Sequence, residues 1–501
     1  MKFFIRIVSV IALLLTSGAT RGYELQSTVP LGTQWSRPDR IPGYAADTRT
    51  PYLVADQDQS VHAFASVRMN PTEMVIVYSQ WKNAIGWTSP IDILLDPMFD
   101  QAQIMGAFLD QAGIVHVVFI GGNDQNAAVF YSKAPLAQAG RASSWSRLNL
   151  IGEHASSPVF AALAGDGKGN LYVVFTGNRD GRGLYAVYST DGGDTWTDPV
   201  VVYKVPDAFH FPANPSMILD QQGRVQLVWT SSNEQGIGDM VLYSRLDPDS
   251  KQWNDPVVIA ERKEGDYSAD WGSVAEYQNQ LFVLYQNSTP ATRWMRRSTD
   301  GGNTWSDPVL PFNYVGEYGH VAYVVDSGNY FHMLLGNRTP ESQPTHGLWH
   351  SVWLGDHWSD LEPVVSGPPV TSGPMLERFD PTAPTAVVSQ GNLLMAVWAT
   401  DPGAGRNGIW YSTTSLNTPG LPSVPLPTQR PQLTPTPIGS LIVSGTPSTE
   451  KPVLLSTGPN ASTATPIESP SIFLSLSIIP AVLLILVVIL IYRLRLRSRR
   501  S

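Results

Sequence analysis

Cysteine is absent from all 501 residues. That excludes disulfide staples, thiolate nucleophiles, Cys-ligated zinc and iron–sulfur clusters, so an exported domain in this chain must hold itself by packing alone. Charge is scarce as well. Asp, Glu, Lys and Arg make up 15% of the chain, and the net balance is acidic at -9. Five arginines (Arg493, Arg495, Arg497, Arg499 and Arg500) crowd the extreme C-terminus, which leaves the remainder more acidic still. No basic stripe is left to follow a phosphate backbone, so nucleic acid is excluded as a partner. Amphipathic helical periodicity is missing outside the termini. There is no Gly-rich phosphate loop, no nucleophile elbow and no metal-ligand spacing of His, Asp and Glu, so neither a cofactor nor a metal is expected.

What the chain does have is turn formers and aromatics: 42 Gly, 40 Pro, 15 Trp and 19 Tyr. With so little helical patterning, these indicate an all-β chain. The two ends read differently. Lys2 and Arg6 precede the apolar run Ile7 to Leu15 and the small residues Ser17, Gly18 and Ala19, the order of an export signal, assigned to 1–22. Near the C-terminus, Ile472 to Tyr492 carries no charge and is long enough to cross a bilayer core of about 30 Å. A transmembrane helix is therefore expected over 471–492, followed by a basic cytoplasmic tail at 493–501 that places the preceding bulk outside the cell. Residues 413–470 are rich in Pro, Thr and Ser, cannot bury a core and read as an extended stalk.

Between these segments, over 23–412, the sequence repeats with a period of about 55 residues, the length of one four-stranded propeller blade. Each unit opens with a short apolar strand, as in Tyr52-Leu53-Val54-Ala55 and Met217-Ile218-Leu219, and continues with a second such as Val115-His116-Val117-Val118-Phe119. A third strand closes on Ser79, Ser132, Ser189, Ser244, Ser298, Ser351 or Ser412. Tryptophan follows six of these serines: Trp87, Trp145, Trp196, Trp253, Trp305 and Trp358. The seventh unit lacks one, but Gly32-Thr33-Gln34-Trp35-Ser36-Arg37-Pro38 near the front matches Gly193-Asp194-Thr195-Trp196-Thr197-Asp198-Pro199. Trp35 is thus expected to open the outer strand of the last blade and close the ring, because an open end would leave unpaired edges. Seven blades are expected, with six as the alternative if one unit is an inserted hairpin.

Two turns between third and outer strands have the form Ser-x-Asp-x-Gly-x-Thr-Trp: Ser189 to Trp196 and Ser298 to Trp305. In such a turn the Asp and Ser side chains bond nearby backbone groups and Gly supplies positive φ, so the aspartates read as turn staples. By these Asp boxes the chain resembles the sialidase-like (BNR/Asp-box repeat) β-propeller superfamily over about residues 30 to 415. The resemblance implies a propeller. For an exo-sialidase it further implies arginines that clamp a substrate carboxylate, a Tyr nucleophile with a Glu base and an Asp acid/base. Arg49, heading the first unit in Arg49-Thr50-Pro51, matches the first family arginine by its position in the blade. The second and third arginines have no assured counterpart.

Segments that lead into the inner strands line one mouth of the central channel, where function collects on a rigid scaffold. They are rich in polar and titratable groups. A catalytic mouth would use Arg49 and Arg378 as the clamp, Tyr267 or Tyr318 as nucleophile with Asp270 or Glu317 as base, and Asp47 as proton shuttle. A binding mouth would use the same groups with His210 and His320 as hydrogen-bonding partners. The leading expectation is a membrane-anchored extracellular propeller that binds a glycan, glycoprotein or other protein through its mouth. An exo-sialidase and a structural surface protein are the rivals.

Overall fold

The structure, a computed structural model, describes residues 34–44, 48–98, 100–123, 126–155, 160–207, 209–288, 292–312, 319–337, 347–367, 382–400 and 408–427. The expected signal, membrane span and tail, and the stalk beyond residue 427, lie outside them. Among the described residues no helix is long and apolar enough to cross a membrane.

The described strands form seven separate antiparallel sheets, which settles the count at seven blades and removes the six-bladed alternative. Blade 1 begins at Tyr52–Ala55, blade 2 at Gln103–Leu109, blade 3 at Ala161–Gly165, and blade 4 at His210–Leu219. Blades 5, 6 and 7 begin at Asp270–Tyr277, Ala322–Val325 and Thr382–Ser389. Burial follows each strand's place in its sheet. The second strand of blade 3, Leu171–Gly177, is buried at every position because both its faces meet neighbouring blades. Inner strands such as Tyr52–Ala55 are only half-buried, since they edge the channel. In blade 5 the outer strand shrinks to one bridge between Met295 and Val309. Pro308 and Pro311 flank Val309 and remove the donors a longer ladder would need.

The ring closes as the repeat requires. Asp39 and Arg40 pair antiparallel with Tyr411 and Trp410 of the third strand of blade 7. Just before them, the Ser36 amide donates to the Thr413 carbonyl at 2.8 Å, and the Ser412 hydroxyl donates to the Ser36 carbonyl at 2.7 Å. At the seam, Val61, Val75 and Val77 of blade 1 pack with Met395, Val397 and Ile409 of blade 7. The seven tryptophans follow one cyclic rule, each reaching the blade before its own. Trp145 packs on Phe64, Trp196 on Tyr131, Trp305 on Tyr243, and Trp87 on Tyr411 across the seam. Trp253 joins a cluster with Tyr172 and Tyr188, Trp358 donates to the Met295 sulfur, and Trp35 meets His350 edge-on.

Both full Asp boxes are closed on themselves. Asp191 accepts from the Thr195 amide and hydroxyl and from the Ser189 hydroxyl at 2.6 to 2.9 Å, and Asp300 repeats the pattern with Thr304 and Ser298. These bonds, those from Thr195 and Thr304 foremost, hold both carboxyls below the ordinary aspartate range. The turns also clamp the preceding blade. Lys133 of blade 2 donates to the Gly192 carbonyl and to Asp194. Arg245 of blade 4 likewise donates to the Gly301 carbonyl and to Asn303. The Asp box is therefore an inter-blade fastening as well as a turn.

The expected start of the stalk at 413 needs correction. Gly408–Ser415 is still a strand of blade 7, and the chain to residue 427 runs as a strap across the turns joining first and second strands. The amides of Leu416, Leu421 and Val424 donate to the carbonyls of Asn392, Gln390 and Gln57. Ser327 donates to the Pro419 carbonyl, Ser423 to Asp58 at 2.8 Å, and Leu426 packs against the core between blades 1 and 2. A Pro-rich segment can do this because its few amides are spaced to meet turn carbonyls left free by the short hairpins.

Candidate functional site

Antiparallel alternation puts the lead-in segments of the inner strands and the hairpins between second and third strands at one end of the ring, opposite the strap. This is the mouth. Of the residues expected there, Asp47, Glu317, Tyr318 and Arg378 lie outside the described residues. Arg49 is exposed at the head of blade 1, and its charge bears on Tyr52, whose phenol burial pushes up to about 12 against that pull. The remaining four sit in blades 4 to 6.

His210 is the hub of a rim network at blade 4. Its Nδ1 lies 2.9 Å from Asp207 and its Nε2 lies 3.1 Å from Asp239. Arg262 donates from Nε to the other oxygen of Asp239 at 2.6 Å, and Arg182 donates to the His210 carbonyl. An imidazole that donates to a carboxylate from each nitrogen is an imidazolium, and Asp207 first, then Asp239, raises its pKa against partial burial. Phe209, whose amide donates to Asp207, is 63% exposed beside this network, and Tyr267, on the segment that runs from Arg262 into blade 5, is 59% exposed.

Asp270 has another position. Its carboxylate is buried and accepts from Asn214 at 3.0 Å, Thr230 at 2.7 Å and the Trp271 amide at 2.7 Å. Burial raises its pKa against these three donors. Because Asn214 and Thr230 belong to blade 4, Asp270 ties blades 4 and 5 together immediately behind the mouth.

The structure brings His320 to the same place from blade 6. Its Nδ1 lies 3.1 Å from the Ser273 hydroxyl, and its ring meets Trp271 edge-on at 5.4 Å. Arg293, 2% exposed, donates to the carbonyls of Gly319 and Gly336, which fixes the segment that carries His320. Enclosure in protein, then the Arg293 charge, lower the His320 pKa to about 4. The unfolded chain takes up this proton near the ordinary 6.5, so the folded state loses stability as pH falls from about 6.5 to 4. Replacing His320 with Asn is expected to remove about 2 kcal/mol of that acid sensitivity, seen as a smaller difference in urea midpoint between pH 7 and pH 4.5.

Asp239, Arg262, Arg293 and Trp271 were not among the residues expected from the sequence. The signal for Trp271 was present: Trp271-Gly272 occupies the place of Asn214-Pro215 and Ala383-Pro384 in other units.

No family model and no curated protein matches this chain. Solved structures do. A protein of unknown function from Dyadobacter fermentans is 16% identical, with 77% of this chain and 100% of that one covered and a TM-score of 0.48. A PL25 ulvan lyase is 12% identical, covering 76% and 96%, at 0.47. The intramolecular trans-sialidase from Ruminococcus gnavus is 13% identical, covering 80% and 100%, at 0.43. Scores of this size add nothing to the ring already read from the strand pairing. Seven antiparallel blades, with self-closed Asp boxes in the turns of blades 3 and 5, make this chain a seven-bladed Asp-box β-propeller.

Proposed function

We propose that the protein is a membrane-anchored extracellular propeller that binds carbohydrate through its channel mouth. The observation that carries the reading is the rim at blades 4 and 5. There, exposed Phe209, whose amide donates to Asp207, adjoins the His210, Asp207, Asp239 and Arg262 network, and exposed Tyr267 lies on the segment that runs from Arg262 into blade 5. A sugar presents an apolar ring face and a fan of hydroxyls, and a rim of aromatic faces with fixed donors and acceptors answers both. The apolar span at 471–492 and the export signal support an anchor that leaves the mouth outside the cell.

The test is an oligosaccharide array probed with the full chain in detergent. Capture of glycans is expected, weakened about tenfold when His210 and Arg262 are both changed to Ala, since about 1.4 kcal/mol of charge-assisted bonding is lost. An array that stays blank while extracellular proteins are retained through the same rim would replace carbohydrate by protein. Release of sialic acid from a fluorogenic sialoside, abolished by Arg49→Ala, would replace binding by exo-sialidase action.

A further inference from the structure

Blades 1, 2 and 4 share one buried polar chain. In blades 1 and 2 a histidine of the second strand lies between an aspartate of the first hairpin and a tyrosine of the third strand. His62 is 2.9 Å from Asp56 and 2.7 Å from Tyr78, and His116 is 3.3 Å from Asp110 and 2.7 Å from Tyr131. Blade 4 keeps the aspartate and the tyrosine and puts Gln226 between them. Blade 6 departs from the rule at the third strand. Asp326 and His332 keep their places, 3.4 Å apart, but the tyrosine's place before the strand's last serine is taken by His350. Its Nε2 lies 2.9 Å from Nδ1 of His332, and its Nδ1 lies 3.3 Å from Glu362 of the outer strand. Both imidazoles are buried.

The exchange falls at the joint that completes the ring. Trp196 stands edge-on to Tyr131 and Trp305 to Tyr243, and by the same rule Trp35 stands edge-on to His350, at 5.6 Å. A phenol oxygen can accept from a histidine that has gained a proton, so the chains of blades 1 and 2 survive that change. The contact between His332 and His350 has room for a single proton. Once both rings are cationic every nitrogen carries a hydrogen, and two donors of like charge face each other across 2.9 Å. Among the described residues the titratable groups that face the pair are Asp326 and Glu362, one at each outer nitrogen, and the closing segment meets it with the neutral indole of Trp35.

We propose that this pair makes the closing joint an acid-opened clasp: when both imidazoles are cationic they part, Trp35 loses its support on His350, and Asp39–Arg40 comes away from blade 7. Burial sets the direction. Burial foremost, joined by the charge of His332 and opposed by the bond to Glu362, lowers the His350 pKa below its ordinary 6.5. The opened chain takes up this proton near 6.5 and the closed joint only at lower pH, so closure is complete above about pH 6.5 and weakens as pH falls. Opening uncovers an edge, because Tyr411 and Trp410 lose the residues that pair with them.

The experiment follows amide hydrogen exchange of the full chain in detergent from pH 7.5 to 4.5, corrected for the intrinsic rate at each pH. The variants are His350→Tyr and His332→Gln, which copy the residues of blades 2 and 4. In the parent, protection of the Ser36 and Ile41 amides, bonded to the carbonyls of Thr413 and Ile409, is expected to fall by about tenfold per pH unit once His350 takes up its proton. The outer strands of blades 3 and 4, Val200–Lys204 and Val257–Glu261, are expected to keep theirs. In both variants Ser36 and Ile41 are expected to stay protected throughout, because a phenol or carboxamide oxygen accepts from the remaining histidine when it is cationic. Protection that holds in the parent down to pH 4.5 would overturn the clasp, as would an equal fall in a folded variant. A fall shared in full by the two reference strands would mean global acid unfolding, to which His320 contributes, and would also overturn it. Should His350→Tyr not fold at pH 7.5, His332→Gln decides alone.

Discussion

Changing Gly302 to alanine is expected to lower the stability of the propeller by about 3 kcal/mol, read as a fall of the urea midpoint with unchanged slope. Two costs combine. Gly302 has a φ of +88°, which a Cβ makes unfavourable by about 1–2 kcal/mol. The added carbon would also overlap the hydroxyl of Tyr243, and overpacking of this kind costs about 1–3 kcal/mol. The tyrosine cannot swing aside easily, because it donates to Gln226 at 2.5 Å and holds Trp305 edge-on at 4.9 Å. Gly193 against Tyr131 in the other Asp box repeats the geometry, so its alanine variant should behave alike. Gly223, with a φ of +76° and open space around it, is the control. Its variant should bear the backbone cost alone.

A larger effect is expected from removing the closing strand. A chain that begins at residue 45 loses Trp35, Ile41 and Tyr44, each of which packs into the ring near the seam or at the face of blade 6. At about 1.5–3 kcal/mol per buried large side chain, the loss is about 5–9 kcal/mol. Many domains of this kind have about 5–15 kcal/mol in total. Trp410 and Tyr411 would also be left on an open edge, and such an edge invites pairing between molecules. The shortened chain should therefore aggregate or melt without a cooperative transition in calorimetry, while a chain cut between the expected signal and residue 34 should melt like the parent.

The repeat made the fold legible because ring closure repeats one packing solution seven times. Trp35 could be placed in the last blade from a short stretch around a tryptophan, and the Ser36 bonds to Ser412 and Thr413 lie where that match requires. The mouth was less legible, since its residues are set by differences between units. Composition singled out His210 and His320 as candidates, whereas the residues they contact, Asp239 and Trp271, come from a hairpin and a bulge that periodicity does not register. Asp270 shows the same limit: a carboxylate in a lead-in segment can face the mouth or lock two blades, and only its bonds to Asn214 and Thr230 decide between them. The strap escaped notice because a Pro-rich run has the composition of a spacer whether or not its few amides find acceptors.

That strap also sets how the protein bears load. A pull on the chain beyond residue 427 arrives at the underside of blades 1 and 2, where Val424 is bonded to Gln57 and Ser423 to Asp58. Those bonds, and then the ones to Gln390 and Asn392, must give way in series before any tension reaches the third strand of blade 7. The joint that completes the ring is thus shielded by a sacrificial fuse that can peel and reseat while the blades stay shut.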